Sequence, residues 1–460
     1  MDSPAPQTPP AKVGLLTACA IVIASMVGTG VFGSLGYQLI GIPSGFPIIL
    51  LWLIGGIISF CGALCYAEIA SVFPKSGGEY HLITQTWSPF LGFLSGWISV
   101  TVGFAAPIAL NATLMGSYLG KIYHLDAPVQ LIGNWSVPTH VLIFSIPVVL
   151  LVTFIHLGKI GFIGKFQAIF TYAKVLLIIV LGALGFILGT RQDISFLPQA
   201  GDLELITSSS FAISLVFVLY AYTGWNAATY MMDEVKKPER NVPLALLIGT
   251  LFVTVLYIFI NASFLYSTPI EAMTGEAEVG LIAAKSSLGP KGGVIMGVLI
   301  SFGLISSISS MVWAGPRVSS AMGRDHSKFS LLSKVNRNGV PALAILLQST
   351  IVIVLLLSAT FDQLIQYVQA LLTISSFMVV IGIFYLRIKR PNVKRPFRAW
   401  GYPVTPTIFA LASGYVLYFQ IMDKRVEFLF GLLTLAIGAV IYLLVRKSAR
   451  SADHSDKTSK

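Results

Sequence analysis

The chain is short of charge. Only 11% of its 460 residues are charged, against about 25% in a soluble domain. That shortage excludes a globular enzyme and points to a polytopic membrane protein. Cysteine is scarce as well: Cys19, Cys61 and Cys65 all fall in apolar segments. None lies in an outer loop, so neither a structural disulfide nor one to a partner subunit is expected. Cys61 and Cys65 sit one helical turn apart, but two thiols without a nearby His make a poor metal site, and packing is the better reading. HExxH, a P-loop lysine, GxSxG and paired intramembrane carboxylates are all missing. No enzyme, metal or cofactor is called for. A cleavable signal peptide is missing too, since the first apolar stretch ends without a small-residue cleavage site.

What the chain has is apolar length. Hydrophobic residues make up 55%, and a helix needs ~20 of them to cross the hydrocarbon region. Twelve such segments are read, at about 14–40, 46–73, 89–122, 138–156, 160–189, 205–233, 241–266, 290–323, 341–359, 361–387, 403–422 and 426–446. Several exceed the minimum, so tilts or breaks are expected. GGEYHLITQ (77–85) is too short to span and reads as an interfacial or re-entrant helix. Residues 269–289 read as a similar short helix between spans 7 and 8. The tails, 1–12 and 448–460, are short, polar and expected to lack fixed structure.

The net charge of +11 invites a nucleic-acid reading, but its distribution argues otherwise. With the N-terminus placed in the cytoplasm, the outer loops hold only Lys121, Arg191, Lys285, Lys291, Lys424 and Arg425, and one further cation, Lys174, lies inside a span. All other Lys and Arg fall on the inner side. This positive-inside bias puts both termini in the cytoplasm. The basic run RIKRPNVKRPFR (387–398) is then a loop facing anionic headgroups rather than nucleic acid.

Two spans interrupt themselves. The first carries ASMVGTGVFG (24–33) at its centre, and the sixth carries Tyr222-Thr223-Gly224-Trp225-Asn226. In hydrocarbon a broken helix is tolerable only where it faces protein, water or a ligand. Glycine alone is a weak sign, because small residues also let membrane helices pack closely. Paired breaks five spans apart point to a transporter built from inverted repeats. The repeats are expected at about 13–190 and 205–388, with helices 11 and 12 at about 403–446 peripheral. The expectation is an all-α membrane protein of twelve transmembrane helices in a five-plus-five arrangement, broken at helices 1 and 6.

An unwound stretch offers free N–H groups on one side and free carbonyls on the other. An α-amino acid carries the complementary charges on adjacent atoms. Thr29 and Gly30, with the start of a 31–40 half-helix, are expected to donate to the carboxylate. The carbonyls of Met26, Tyr220 and Thr223 are expected to accept from the ammonium. Glycine at Gly28 and Gly30 lets the ligand approach the backbone. Lys174 lies about ten residues into its span, at ~1.5 Å per residue ~15 Å deep. A charge there marks function by default, and its apolar flanks leave no short route for snorkelling. Without an intramembrane acid as partner, it needs carbonyls from the first break and hydroxyls from Ser306, Ser307 and Ser310. A fixed ammonium there would stand where cation-coupled carriers bind sodium. Glu68, near the inner end of span 2, is read either as an inner gate with an Arg such as Arg317 or as a structural headgroup-level pair. Tyr220 either closes over the ligand from outside or packs. No deep Asp or Glu is seen to receive a cationic side chain, which argues for neutral substrates, although aromatics and carbonyls also hold cations.

GTGVF with Gly28, YAEIASVFPKSGGEY (66–80), Lys174, AYTGWN (221–226) followed by EVKKPERNVPLA (234–245), and RPFRAWGYP (395–403) together resemble the amino acid–polyamine–organocation (APC) superfamily. Within it they resemble the L-type amino-acid transporter branch. The resemblance implies the APC fold with broken helices 1 and 6, and amino-acid transport by alternating access. It also implies sodium independence through Lys174, an aromatic lid at Tyr220, and Asn226 close to the substrate. Eukaryotic members carry an outer-loop Cys between spans 3 and 4 for a glycoprotein partner. KIYHLDAP (121–128) has none, so a free-standing carrier in a bacterial inner membrane, without a disulfide-linked heavy subunit, is expected. A small residue usually precedes Gly224 in this branch; Thr223 would narrow or polarise the pocket. The expected function is sodium-independent exchange of neutral L-amino acids. A proton-coupled symporter, with Lys174 or Glu68 titrating, is the alternative. A non-transporting amino-acid sensor is disfavoured, since no output domain follows residue 447. A channel is disfavoured, since polar groups cluster only around the breaks.

Overall fold

The fold is seen in a computed structural model, which describes residues 13–457 apart from 126, 133, 134, 159 and 359. The tail 1–12 lies outside the described residues. Backbone polar groups in lipid must be satisfied within the segment, so apolar length becomes helix. Ten helices among the described residues are long and apolar enough to span: Leu15–Gly33, Gly45–Val72, Pro89–Tyr123, Phe166–Leu188, Ser209–Glu234, Pro238–Ser267, Val279–Asp325, Gln363–Lys389, Val404–Asp423 and Arg425–Arg446. Two shorter apolar helices, Val141–His156 and Ala342–Ser358, fall where the fourth and ninth spans are expected. These twelve segments are numbered here as spans 1 to 12.

The short helix after span 2 forms at Gly78–Thr86. The stretch between spans 7 and 8 differs from expectation. It holds one turn, Ile270–Met273, and then a helix from Val279 that kinks at Gly289 and runs on into span 8. The loop between spans 3 and 4 contains an antiparallel hairpin, with Val129 opposite Val137, which the apolar pattern did not signal. The C-terminal tail also differs, since the last helix extends to Lys457. Residues 447–457 contain neither Gly nor Pro to stop it.

Both expected breaks are present. Span 1 is helical over Leu15–Met26, leaves the helix at Val27 and Gly28, and resumes at Thr29–Gly33 and Leu35–Leu39. Span 6 is helical over Ser209–Tyr222, turns at Thr223 and Gly224, and ends as a tighter 3₁₀ segment over Ala227–Glu234. Gly224 sits at φ +105°, a left-handed conformation that glycine adopts without cost. A Cβ on Gly30 would run into the backbone of Ala221. The two breaks therefore cross in contact, and only a hydrogen side chain permits that crossing.

Span 1 begins where span 6 ends. Val13 N donates to Glu234 O at 2.9 Å, and Lys236 N donates to Val13 O at 2.8 Å. This end of the bundle is called the N-terminal face, and the opposite end the distal face. On the distal face, the Gly275 amide donates to the Gly36 carbonyl at 2.8 Å, and Lys121 pairs with Glu276 and Glu278, each at 2.5 Å. The stretch before span 8 is thereby tied across the end of the broken first span.

Candidate functional site

Lys174 is delivered by span 5 to the first break. It is 1% exposed, and its Nζ donates to Val27 O at 2.5 Å, Ala24 O at 3.1 Å and Ser307 Oγ at 2.9 Å. Ser307 in turn donates to Val27 O at 2.6 Å. Two carbonyls released by the end of the first half-helix thus face one ammonium, which offers three protons. Ser306 and Ser310 are corrections to the expected set. The Ser306 hydroxyl faces Gln167 and Thr171 at 3.3 Å, and Ser310 donates to the Ser307 carbonyl at 2.9 Å. On a helix, neighbouring serines point in different directions, and only Ser307 faces the break.

The second break contributes Tyr220, whose hydroxyl lies 3.2 Å from Thr29 Oγ1. This contact ties the resumed half-helix of span 1 to the half of span 6 that precedes its break. Two carbonyls expected to be free are engaged. Met26 O accepts from the Tyr257 hydroxyl at 2.7 Å, and Tyr220 O accepts from Thr223 N at 2.9 Å. A helix end inside a membrane satisfies its orphan groups from neighbours, so each carbonyl keeps one lone pair. The resumed half-helix also starts at Thr29 rather than at 31. Tyr257, also 2.9 Å from Ala221 O, bridges both breaks from span 7. Nothing in its apolar surroundings signalled that role.

A cavity opens beside the breaks toward the N-terminal face. Ser25, Glu79, Thr223, Asn226, Tyr230 and Gln369 give it a polar wall, and Phe104 and Pro107 of span 3 line another side. Of the expected substrate residues, Thr223 and Asn226 line it, while Met26, Gly28, Thr29, Gly30 and Tyr220 are not among its lining residues. Thr223 Oγ1 donates to Leu219 O at 3.2 Å and faces Gln369 Oε1 at 3.4 Å.

Glu79 corrects the expectation that no acid lies deep. It is 3% exposed and sits on the short helix Gly78–Thr86, folded under the cavity. Tyr66 donates to its Oε1 at 3.0 Å, and Asn226 and Tyr230 also donate to it. Burial pushes the Glu79 carboxyl above its ordinary value, and these donors pull it back. The acid was hidden because its segment reads as an interfacial loop, and only the fold tucks it beneath span 6.

Glu68 does not meet Arg317. It is 2% exposed and accepts from Arg387 Nη2 at 2.5 Å and Nε at 3.0 Å, from the Ala399 amide at 2.7 Å, and lies 3.4 Å from Arg395 Nε. These partners come from the end of span 10 and the basic loop after it. Arg317 instead donates to Glu234 at 2.7 Å, joining the ends of spans 8 and 6 at the N-terminal face. The order of helices around the bundle decides the partners, and that order is not written in hydropathy. No group of His, Cys, Asp and Glu suited to a metal occurs among the described residues.

A bundle of membrane helices, two of them broken against a polar cavity and one fixed ammonium, defines a membrane transport protein. The chain belongs to the amino acid permease family of the APC superfamily: that family's model matches residues 13–444. It is a multi-pass membrane transporter of amino acids. The chain is 25% identical over 437 residues to the b(0,+)-type amino acid transporter 1 of Rattus norvegicus, covering 94% of this chain and 87% of that protein. It is likewise 25% identical over 438 residues to the large neutral amino acids transporter small subunit 2 of Mus musculus, covering 94% and 80%.

Proposed function

We propose that this protein exchanges neutral L-amino acids by alternating access, without sodium, across a bacterial inner membrane. One observation carries the reading. Lys174 holds Ala24 O, Val27 O and Ser307 Oγ, the carbonyl and hydroxyl oxygens that a hard cation would need. A tethered ammonium already occupies that position, so a soluble cation has no role there.

The substrate's carboxylate sits against the amides of Gly28, Thr29 and Gly30, and its ammonium against the remaining lone pairs of Met26, Tyr220 and Thr223. Thr29 and Tyr220 close the distal side, which is the outside. Arg317 and Glu234 close the N-terminal face, which is the cytoplasmic side with both termini. The positive-inside bias supports that orientation. Residues 13–190 and 205–388 form the inverted repeats, supported by the matched breaks. The name of one relative, a large neutral amino acids transporter, supports neutral substrates. Glu79 is consistent with them, because three donors already engage its carboxylate. The absence of cysteine from 121–128 supports a carrier that works without a disulfide-linked heavy subunit, although the same relative is named a small subunit.

Glu79 also motivates a second reading, proton-coupled symport, because a buried carboxylate borders the cavity. Uptake of labelled amino acid into proteoliposomes separates the two. Exchange requires internal amino acid and ignores sodium and a pH gradient. Uptake into empty vesicles driven by a pH gradient, and lost in Glu79→Gln, establishes symport instead. A sodium requirement overturns the role given to Lys174.

A further inference from the structure

Asn111 lies on span 3, in the helix Ala105–Tyr123, and is 1% exposed. Its Nδ2 donates to the Pro107 carbonyl at 2.7 Å. A carbonyl accepts only, so this bond sets the amide's orientation and leaves Oδ1 on the opposite side. Among the described residues Oδ1 has no hydrogen-bond partner. Leaving a buried acceptor bare costs about 1–3 kcal/mol, and what sets this one apart from the other bare buried polar atoms is its place against the first break.

That oxygen is aimed at the first break. A Cβ built on Gly28 would lie 2.9 Å from Asn111 Oδ1 and 3.5 Å from Ser307 Oγ. Phe104 and Pro107 line the cavity, and Asn111 lies one turn beyond Pro107 on the same helix face. Asn111 is not itself a lining residue of the cavity; its bare acceptor lies one turn beyond that wall, against Gly28 of the first break.

The missing donor belongs to a neutral group. Ser307, crowding the same side of Gly28, is bound to the Lys174 ammonium. A second positive charge there would be repelled in a low-dielectric interior, which disfavours the α-ammonium or a cationic side chain. A hydroxyl or carboxamide suffers no such repulsion.

We propose that Asn111 Oδ1 is a specificity determinant that accepts a hydrogen bond from the substrate's side chain, selecting neutral amino acids with a side-chain hydroxyl or carboxamide. The proposal rests on the exchange reading above and names its substrate class. Alanine and valine lack the donor; serine and threonine supply it at nearly the same size.

The test is a paired competition series on the full chain in proteoliposomes: serine against alanine and threonine against valine. Wild type should favour the hydroxyl member of each pair by about tenfold, the effect of one satisfied buried acceptor. Asn111→Leu, close to Asn in shape, should bring both ratios near one while alanine exchange persists. Wild type without such a preference overturns the proposal with no mutant needed. Asn111→Leu keeping the wild-type ratios overturns it, and so does an equal loss for all four amino acids. If wild type exchanges no amino acid at all, the exchange reading itself has failed. Exchange without the hydroxyl preference sinks only the assignment of Asn111.

Discussion

The ammonium of Lys174 donates to the carbonyl of Val27 at 2.5 Å, at the residue where the first span stops being helical. One cation from span 5 thereby contacts the break in span 1. Lys174→Ala should take the ammonium away from Ala24 O and Ser307 Oγ, leaving both without that donor, while Val27 O keeps the Ser307 hydroxyl. Each orphaned group costs about 1–3 kcal/mol, so the initial rate of exchange should fall by at least about tenfold. The protein should still be found in the membrane fraction. Exchange at the wild-type rate would remove Lys174 from the mechanism.

Gly28 is pressed against Asn111, with a virtual Cβ 2.9 Å from Oδ1. Gly28→Val should push the amide aside and fill the seat beside the broken backbone, at an overpacking cost of about 1–3 kcal/mol. Substrate binding, measured by calorimetry on purified protein, should be lost. A wild-type dissociation constant contradicts the proposed seat.

Thr29 and Tyr220 meet through their hydroxyls at 3.2 Å. Tyr220→Phe removes that contact but keeps the ring. The net worth of such a bond is about 1 kcal/mol, so the apparent KM should rise about fivefold with little change in folding. Thr29→Val should do the same. The double variant should be no worse than either single one, because both remove one interaction. Additive effects would show that the two hydroxyls act separately.

Glu68 and Glu234 look alike in sequence, each near the end of a span, yet their predicted fates differ. Glu68 is buried and gathers Arg387, Arg395 and the Ala399 amide. Glu68→Gln should leave a largely uncompensated cationic cluster and cost about 3–5 kcal/mol, read as a clear fall in melting temperature. Glu234 is partly exposed in its pair with Arg317. Arg317→Ala should change exchange kinetics with a much smaller effect on melting. Equal melting shifts for the two variants would refute the distinction between anchor and gate.

Hydropathy made the membrane class and the order of twelve apolar segments legible, and the Gly and polar residues within two of them made the interrupted helices legible. The physical reason is local: lipid forces each spanning segment to satisfy its own backbone, so length and polarity along the chain suffice. Lys174 stood out for the same reason, since a lone charge at mid-membrane depth needs polar partners, and the carbonyls of the first break supply them. Which serine receives it was not, because that depends on the rotation of span 8 against the break. The partner of Glu68, the burial of Glu79 beneath span 6, the bridging hydroxyl of Tyr257 and the bare oxygen of Asn111 were also decided by helix packing. Those contacts join residues far apart in the chain, and no local pattern of apolar and polar residues records which helices become neighbours.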